Sequence, residues 1–101
     1  MTHKIELLHS CKTIDDFIES IAQLDYFTII NQYRDKDLAI LYLEKKLLRV
    51  YTTSIILSLY IKVNQLQSID IHLDIMSPVK EGMFSDFNAT KVLIEKIKKC
   101  L

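Results

Sequence analysis

Two stretches of the chain alternate between apolar and polar residues with a period of two. The first covers residues 53–63 and the second covers residues 68–76. Because successive side chains of a β-strand point to opposite faces of the sheet, this pattern predicts two strands of one sheet with a single buried face. The apolar positions that would share the buried face are Ile55, Leu57, Leu59, Ile61, Val63, Ile69, Ile71, Leu73 and Ile75.

The short connection between these strands restricts how they pair. In an antiparallel pair the numbers of facing residues have a constant sum, and only an even sum keeps both apolar sets on one face. A two-residue turn is therefore excluded. A three-residue loop at 65–67 meets the condition and places Lys62 opposite Asp70 and Tyr60 opposite His72. A five-residue loop is the alternative, because a three-residue turn usually contains a glycine and this one has none.

Two other stretches have the apolar spacing of amphipathic helices. The first follows Thr13, a residue type that caps helices well, and the second is predicted to begin with Asn88 as its N-cap. The apolar stripe of the first comprises Ile14, Phe17, Ile18, Ile21 and Leu24. The stripe of the second comprises Ala89, Val92, Leu93, Ile97, Cys100 and Leu101.

The remaining segments complete the predicted sheet. Residues 3–9 and 26–33 are strand-like, whereas residues 38–49 are ambiguous. Their Ala, Leu, Glu and Lys content favours a helix, but their apolar first half and their position between strand-like segments favour a strand, which is our interpretation. The order β-α-β-β-β-β-α predicts an α+β fold, with an antiparallel sheet of four to five strands and two helices packed on one face. We expect a single domain over residues 1–101.

Composition and charge exclude some function classes. The 13 basic and 13 acidic residues cancel, so no overall field favours nucleic acid or an anionic membrane as a partner. No export signal and no apolar run of membrane length is evident, so we expect a cytoplasmic protein. Cys11 and Cys100 lie near opposite ends without a CxxC partner, and we expect reduced thiols.

Three local patterns resemble the DUF 6054 family of small, uncharacterised bacterial proteins. They are residues 41–45 (LYLEK) followed by Arg49, the alternating strand 53–63, and residues 82–89 (GMFSDFNA). The chain departs from the family at Phe87 and Asn88, where the family tends to have Trp and Gly. The resemblance implies a strand at 38–49. It implies no activity, because none is established for the family.

For the polar residues that are candidates for chemistry, we prefer structural interpretations. Asp70, His72 and Asp74 alternate along one predicted strand. A single strand cannot arrange three ligands around one metal ion, so a solvated sheet face explains them better. Glu44 and Asp86 lie in the motifs of the resemblance, but no partner with matched geometry can be named for acid–base catalysis. No nucleotide, zinc or nucleophile signature is present, and we assign no catalytic, cofactor-binding or metal-binding residue.

The most informative feature for function is a surplus of apolar residues. If the odd-numbered residues of strand 38–48 face the helices, the even-numbered ones reach the other face of the sheet. The candidate interface residues on that face are Ile40, Tyr42, Ile56, Tyr60 and Met76. We expect a non-enzymatic binding or protein-interaction module, with self-association as a homodimer through this face, because monomers seldom expose large apolar patches.

Three other interpretations stay open. The exposed apolar residues can be scattered over a monomer, and a small apolar ligand can lie between the sheet and the C-terminal helix. The third is a small metal-dependent or hydrolytic enzyme. Its candidate residues are Asp70, His72, Asp74, Glu44 and Asp86.

Overall fold

A computed structural model describes residues 5–46, 54–76 and 84–101 of the protein, with the backbone alone for Ile5, Glu6 and residues 84–90. The elements in chain order are β1 (Ile5–Ser10), α1 (Ile14–Gln23), β2 (Thr28–Arg34), β3 (Leu38–Lys46), β4 (Ser54–Val63), β5 (Ile69–Ile75) and α2 (Phe84–Lys98). The predicted α+β class and element order are confirmed.

The five strands form one antiparallel sheet in the order β1-β5-β4-β3-β2. The first two strands of the chain are therefore the two edges of the sheet. The helix between them, α1, carries the chain from one edge to the other across one face. The strands β3, β4 and β5 follow one another as neighbours in the middle.

The hydrophobic core lies between one face of the sheet and the helices. We call this the inner face, and the opposite one the outer face. The inner face carries buried side chains of the central strands, namely Ala39, Leu41, Leu43, Ile55, Leu57, Leu59, Ile61, Ile69, Ile71, Leu73 and Ile75. The helices contribute Ile14, Phe17, Ile21, Leu93, Ile94, Ile97 and Cys100 to the same cluster. Truncating a fully buried leucine of such a core to alanine typically costs about 2–5 kcal/mol.

The ambiguous segment 38–49 is a strand as far as it is described. β3 pairs with β2 on one side and β4 on the other, and residues 47–49 lie outside the described part. Ala39, Leu41 and Leu43 are fully buried on the inner face, as predicted for the odd positions. The segment is apolar throughout because its outer-face residues Ile40 and Tyr42 are half-buried as well.

The β4–β5 hairpin has the predicted register, with Lys62 opposite Asp70 and Tyr60 opposite His72. Its loop closes without a glycine because Gln67 takes the left-handed position that a glycine usually fills, with φ 64°. The side chain of Asn64 supports the turn: its Oδ1 accepts hydrogen bonds from the Leu66 and Ser68 backbone N–H groups, at 2.9 and 3.2 Å. A side chain thus supplies the local hydrogen bonds that stabilise the loop.

The first helix begins as predicted. The Asp16 N–H donates to Oγ1 of the cap residue Thr13 at 3.2 Å. Lys12 links this helix to the end of α2, because its Nζ donates to the Ser20 Oγ at 3.0 Å and to the Cys100 carbonyl at 2.5 Å. A cation at this carbonyl also complements the negative end of the α2 dipole. Neither described helix is long and apolar enough to cross a membrane.

Two predictions about the second helix are wrong. Asn88 is not its N-cap, since α2 already begins at Phe84. An earlier start adds a turn of hydrogen bonds and places the acidic Asp86 near the positive end of the helix dipole, which outweighs the capping preference of one asparagine. Val92 is 42% exposed, whereas Ile94 is buried. The buried stripe through Leu93 and Ile97 is rotated toward Ile94, away from Val92.

Candidate functional site

A row of five side chains crosses the whole outer face. Backbone pairing places Leu7 beside His72, His72 beside Tyr60, Tyr60 beside Ile40 and Ile40 beside Tyr33. We call these five residues the central row. Leu7 is 51% exposed, Tyr33 52% and Tyr60 40%, and the Tyr60 and His72 rings meet edge to face with centroids 6.1 Å apart. The row is therefore an apolar and aromatic strip that the helices do not cover.

All five candidate interface residues lie on this outer face. Ile40 and Tyr60 belong to the central row. Tyr42 lies in the next row, opposite Ser58. Ile56 lies one row further and accepts a hydrogen bond from the Met76 N–H at 2.8 Å. Apolar side chains therefore occur in two further rows as well, where they lie beside polar ones such as Ser58.

Sequence reasoning missed the two ends of the central row, Leu7 and Tyr33. Both lie on edge strands, whose alternation is weak in the sequence. In β2 the register shifts between Ile29 and Asn31, so the alternation changes phase within the strand. The odd numbering of Leu7 matches the odd apolar positions of residues 3–9, but nothing local indicates which strand lies beside it.

A histidine and an aspartate meet beside the central row. The His9 Nδ1 on β1 lies 2.6 Å from the Asp70 Oδ1 on β5. The Asn64 Nδ2 donates to the same oxygen at 3.1 Å. These two hydrogen bonds, that of Asn64 first, lower the pKa of the Asp70 carboxyl from its ordinary value of 3.8. Desolvation opposes them, and the charges of His9 and His72 add the smallest effects in the lowering direction. Asp70 is therefore ionised at neutral pH.

The ionised carboxylate determines which nitrogen of the His9 ring carries the hydrogen. A carboxylate only accepts hydrogen bonds, so the Nδ1 of His9 carries the hydrogen. In a neutral ring the Nε2 then keeps its lone pair and can act as a base or as a single metal ligand. Polar residues of the hairpin surround this pair in an open cavity of about 610 Å³. Its lining includes Lys62, Asn64, Leu66 and Ser68.

The other polar candidates are not brought together. Lys62 lies opposite Asp70, but the hydrogen-bond partners of that carboxylate are His9 and Asn64. His72 contacts Tyr60, and Asp74 lies opposite Ser58 in the next row. In the described part of the chain, no three His, Cys, Asp or Glu side chains are grouped as a metal site.

The two carboxylates from the family-like motifs lie on different elements. Glu44 is on β3, opposite Ile56 on the outer face. Asp86 is in the first turn of α2, and its side chain is outside the described atoms. The structure therefore does not join Glu44 to the His9–Asp70 pair.

The two cysteines have different environments. Both are free thiols, Cys11 exposed and Cys100 buried. Burial raises the pKa of the Cys100 thiol, against the smaller effect of the Lys12 charge, and its Sγ donates to the Lys96 carbonyl at 3.6 Å. A buried thiol with a raised pKa is a small hydrophobic group rather than a nucleophile.

Comparison of the chain with protein-family models, curated proteins and solved structures gave no match. The resemblance to the DUF 6054 family stays a prediction.

Proposed function

We propose that this protein is a non-enzymatic interaction module that self-associates through the outer face of its sheet. The observation that carries the proposal is the central row. It extends from one edge strand to the other. The described helices pack on the inner face only, and Leu7, Tyr33 and Tyr60 of the row are exposed. Burying apolar surface is the main favourable term in protein association, and a contiguous strip offers it in one place.

The size of the face indicates whether a dimer is feasible and which class of interface it would form. Five strands about 4.8 Å apart, with four rows of outward side chains about 6.7 Å apart, give a projected area on the order of 600 Å². Two copies would bury roughly 1,200 Å², which is the lower limit for a specific interface. We therefore expect a reversible dimer with micromolar affinity that uses the whole face.

Sedimentation velocity or light scattering over a concentration series tests this proposal. The wild-type mass should rise from one chain to two across the micromolar range. Tyr60→Arg should keep the protein monomeric, because it places a charge in the middle of the buried strip. Val92→Arg is the matched control, since Val92 on α2 is about as exposed, at 42% against 40% for Tyr60. A wild-type chain that stays monomeric throughout would refute the proposal.

The second candidate is a small hydrolytic or metal-dependent enzyme. The observation that favours it is the 2.6 Å contact between His9 and Asp70 at the hairpin cavity, since a carboxylate that orients an imidazole is a common element of general-base sites. Glu44, His72, Asp74 and Asp86 are not needed in this version. Hydrolysis of an activated ester that is abolished by His9→Ala and kept by His72→Ala would favour the enzyme over the interaction module.

A further inference from the structure

The His9 imidazole is held at one of its nitrogens and open at the other. Its Nδ1 lies 2.6 Å from the Asp70 Oδ1, and its side chain is 66% exposed. With the hydrogen on Nδ1, the lone pair of the neutral ring is on Nε2. An electrophile that approaches from solvent therefore meets a nitrogen whose tautomer is already fixed.

The Asp70 carboxylate also affects the charge of the ring when Nε2 forms a bond. Attack by a neutral imidazole that carries its hydrogen on Nδ1 leaves the ring positively charged. A carboxylate hydrogen-bonded to that nitrogen stabilises the imidazolium, as it does in Ser-His-Asp triads. The Asn64 Nδ2 holds the same carboxylate oxygen from the hairpin side, at 3.1 Å. The pair is therefore arranged for His9 to act as a nucleophile.

Lys62 indicates the class of electrophile. It follows His9 and Asp70 in one row of the outer face, two strands or about 10 Å from His9, and it lines the same cavity. Among the described residues, no carboxylate lies within ion-pair distance of its ammonium group. A lysine on its flexible stem binds phosphate as a point charge, and here it balances the negative charge of Asp70. The arrangement therefore favours an anionic phosphoryl group over a neutral ester.

We propose that His9 is a phosphoryl-acceptor residue, modified at Nε2 by a donor with an N–P or acyl-phosphate bond. The Nε2 lone pair forms the new bond to phosphorus. The bond from phosphorus to the donor atom breaks, and the leaving group departs with its electron pair. The Nδ1 hydrogen stays between His9 and Asp70, and neither reactant is oxidised or reduced. This modification goes beyond the proposed self-association and does not depend on it.

His72 is the matched control within the same chain. It is exposed on the same outer face, one strand away from His9. Its ring meets Tyr60 edge to face, and no carboxylate of the described residues is hydrogen-bonded to it. A difference in reactivity between His9 and His72 therefore reports the contact with Asp70 rather than histidine chemistry in general.

Incubation of the full chain with phosphoramidate at about pH 8, above the range in which imidazoles are usually protonated, tests the proposal. A His3→Gln background removes the histidine that lies outside the described residues. Peptide mass spectrometry under non-acidic conditions should show His9 labelled about tenfold faster than His72 or more. Asp70→Asn should slow the labelling of His9 about tenfold, with little effect on His72. His9→Gln should abolish the main label, and His72→Gln should keep it.

A neutral reagent separates the role of Lys62 from the reactivity of the ring. Lys62→Gln should slow phosphoryl transfer to His9 about threefold, as expected for the loss of one exposed charge contact. The same variant should leave the acylation of His9 by diethyl pyrocarbonate unchanged, because that reagent carries no charge. Asp70→Asn should slow both reactions, since the imidazolium forms in both.

Two results would overturn the proposal: equal labelling of His9 and His72, or labelling of His9 that Asp70→Asn does not slow. A Lys62→Gln variant slowed equally toward both reagents would refute the preference for phosphoryl groups. Circular dichroism of each variant checks that the fold is kept. Self-association is measured on the unmodified chain, so a monomeric wild type would refute the proposed function and leave this inference intact.

Discussion

At the scale of single residues, the carboxylate of Asp70 is the best-defined polar group of the molecule. Its Oδ1 accepts hydrogen bonds from Asn64 and contacts His9, so the hairpin turn and the edge strand β1 are joined at one atom. Lys62, its cross-strand neighbour, stays available for other contacts. The register places Lys62 opposite Asp70, but the Asp70 Oδ1 is instead held by the His9 imidazole and the Asn64 amide.

Asp70→Asn should make the stability of the protein less sensitive to acid. The folded-state pKa of Asp70 lies below its ordinary value of 3.8, so its ionised form stabilises the fold above about pH 4, and this contribution is lost as the pH falls through the folded-state pKa. Urea unfolding from pH 7 to pH 2.5 should show the wild type losing stability more steeply than the variant below about pH 4. His9→Ala should remove only part of the difference, since the hydrogen bond from Asn64 is the larger cause. Identical pH profiles for wild type and Asp70→Asn would contradict the assignment.

At the scale of elements, the β4–β5 hairpin shows how a strict pattern and an unusual turn coexist. The alternation on both strands requires a loop with an odd number of residues. Gln67 adopts a positive φ, which allows a three-residue loop to close. The left-handed conformation costs a non-glycine residue about 1–2 kcal/mol. The hydrogen bonds of Asn64 and the burial of the flanking strands offset this cost.

Gln67→Gly should therefore raise the free energy of unfolding by about 0.5–1 kcal/mol, because glycine adopts positive φ without the steric penalty. Gln65→Gly is the matched control: it changes the same residue type in the same loop, where the backbone is not left-handed. The control should lower the free energy of unfolding slightly, since glycine adds freedom to the unfolded chain. Equal effects of the two substitutions in thermal or urea unfolding would show that the φ of Gln67 is not a source of strain.

At the scale of the whole molecule, the sheet is asymmetric. Its inner face is closed by α1 and α2, and the central row lies across its outer face. If two copies associate through the outer face, folding and association are linked. A partner that binds the folded chain but not the unfolded chain stabilises the folded state by mass action.

The melting temperature should consequently rise with protein concentration, by about 2–4 °C for each tenfold increase above the Kd, given the unfolding entropy of a domain of this size. Differential scanning calorimetry at a series of concentrations measures this directly. Tyr60→Arg should abolish the dependence and Val92→Arg should keep it. A wild-type melting temperature that does not change with concentration would speak against the linkage.

The sequence by itself determined the two strands of the β4–β5 hairpin, the face that each of their residues occupies and the register of the pair. These properties follow from the period of two, which is a local pattern. A one-residue slip in the register would move every side chain to the opposite face of the sheet. The sequence also predicted that the ambiguous segment 38–49 is a strand. That prediction rested on the neighbouring segments rather than on the composition of the segment itself.

Only the tertiary structure decided which strands lie side by side at the edges. β1 lies next to β5 although α1 and three strands separate them in the chain. The placement of β1 beside β5 joins His9 to Asp70 and extends the central row to Leu7. No local sequence pattern predicts this placement. The order of strands depends on how α1 crosses the sheet and closes the core, which is a property of the packed whole.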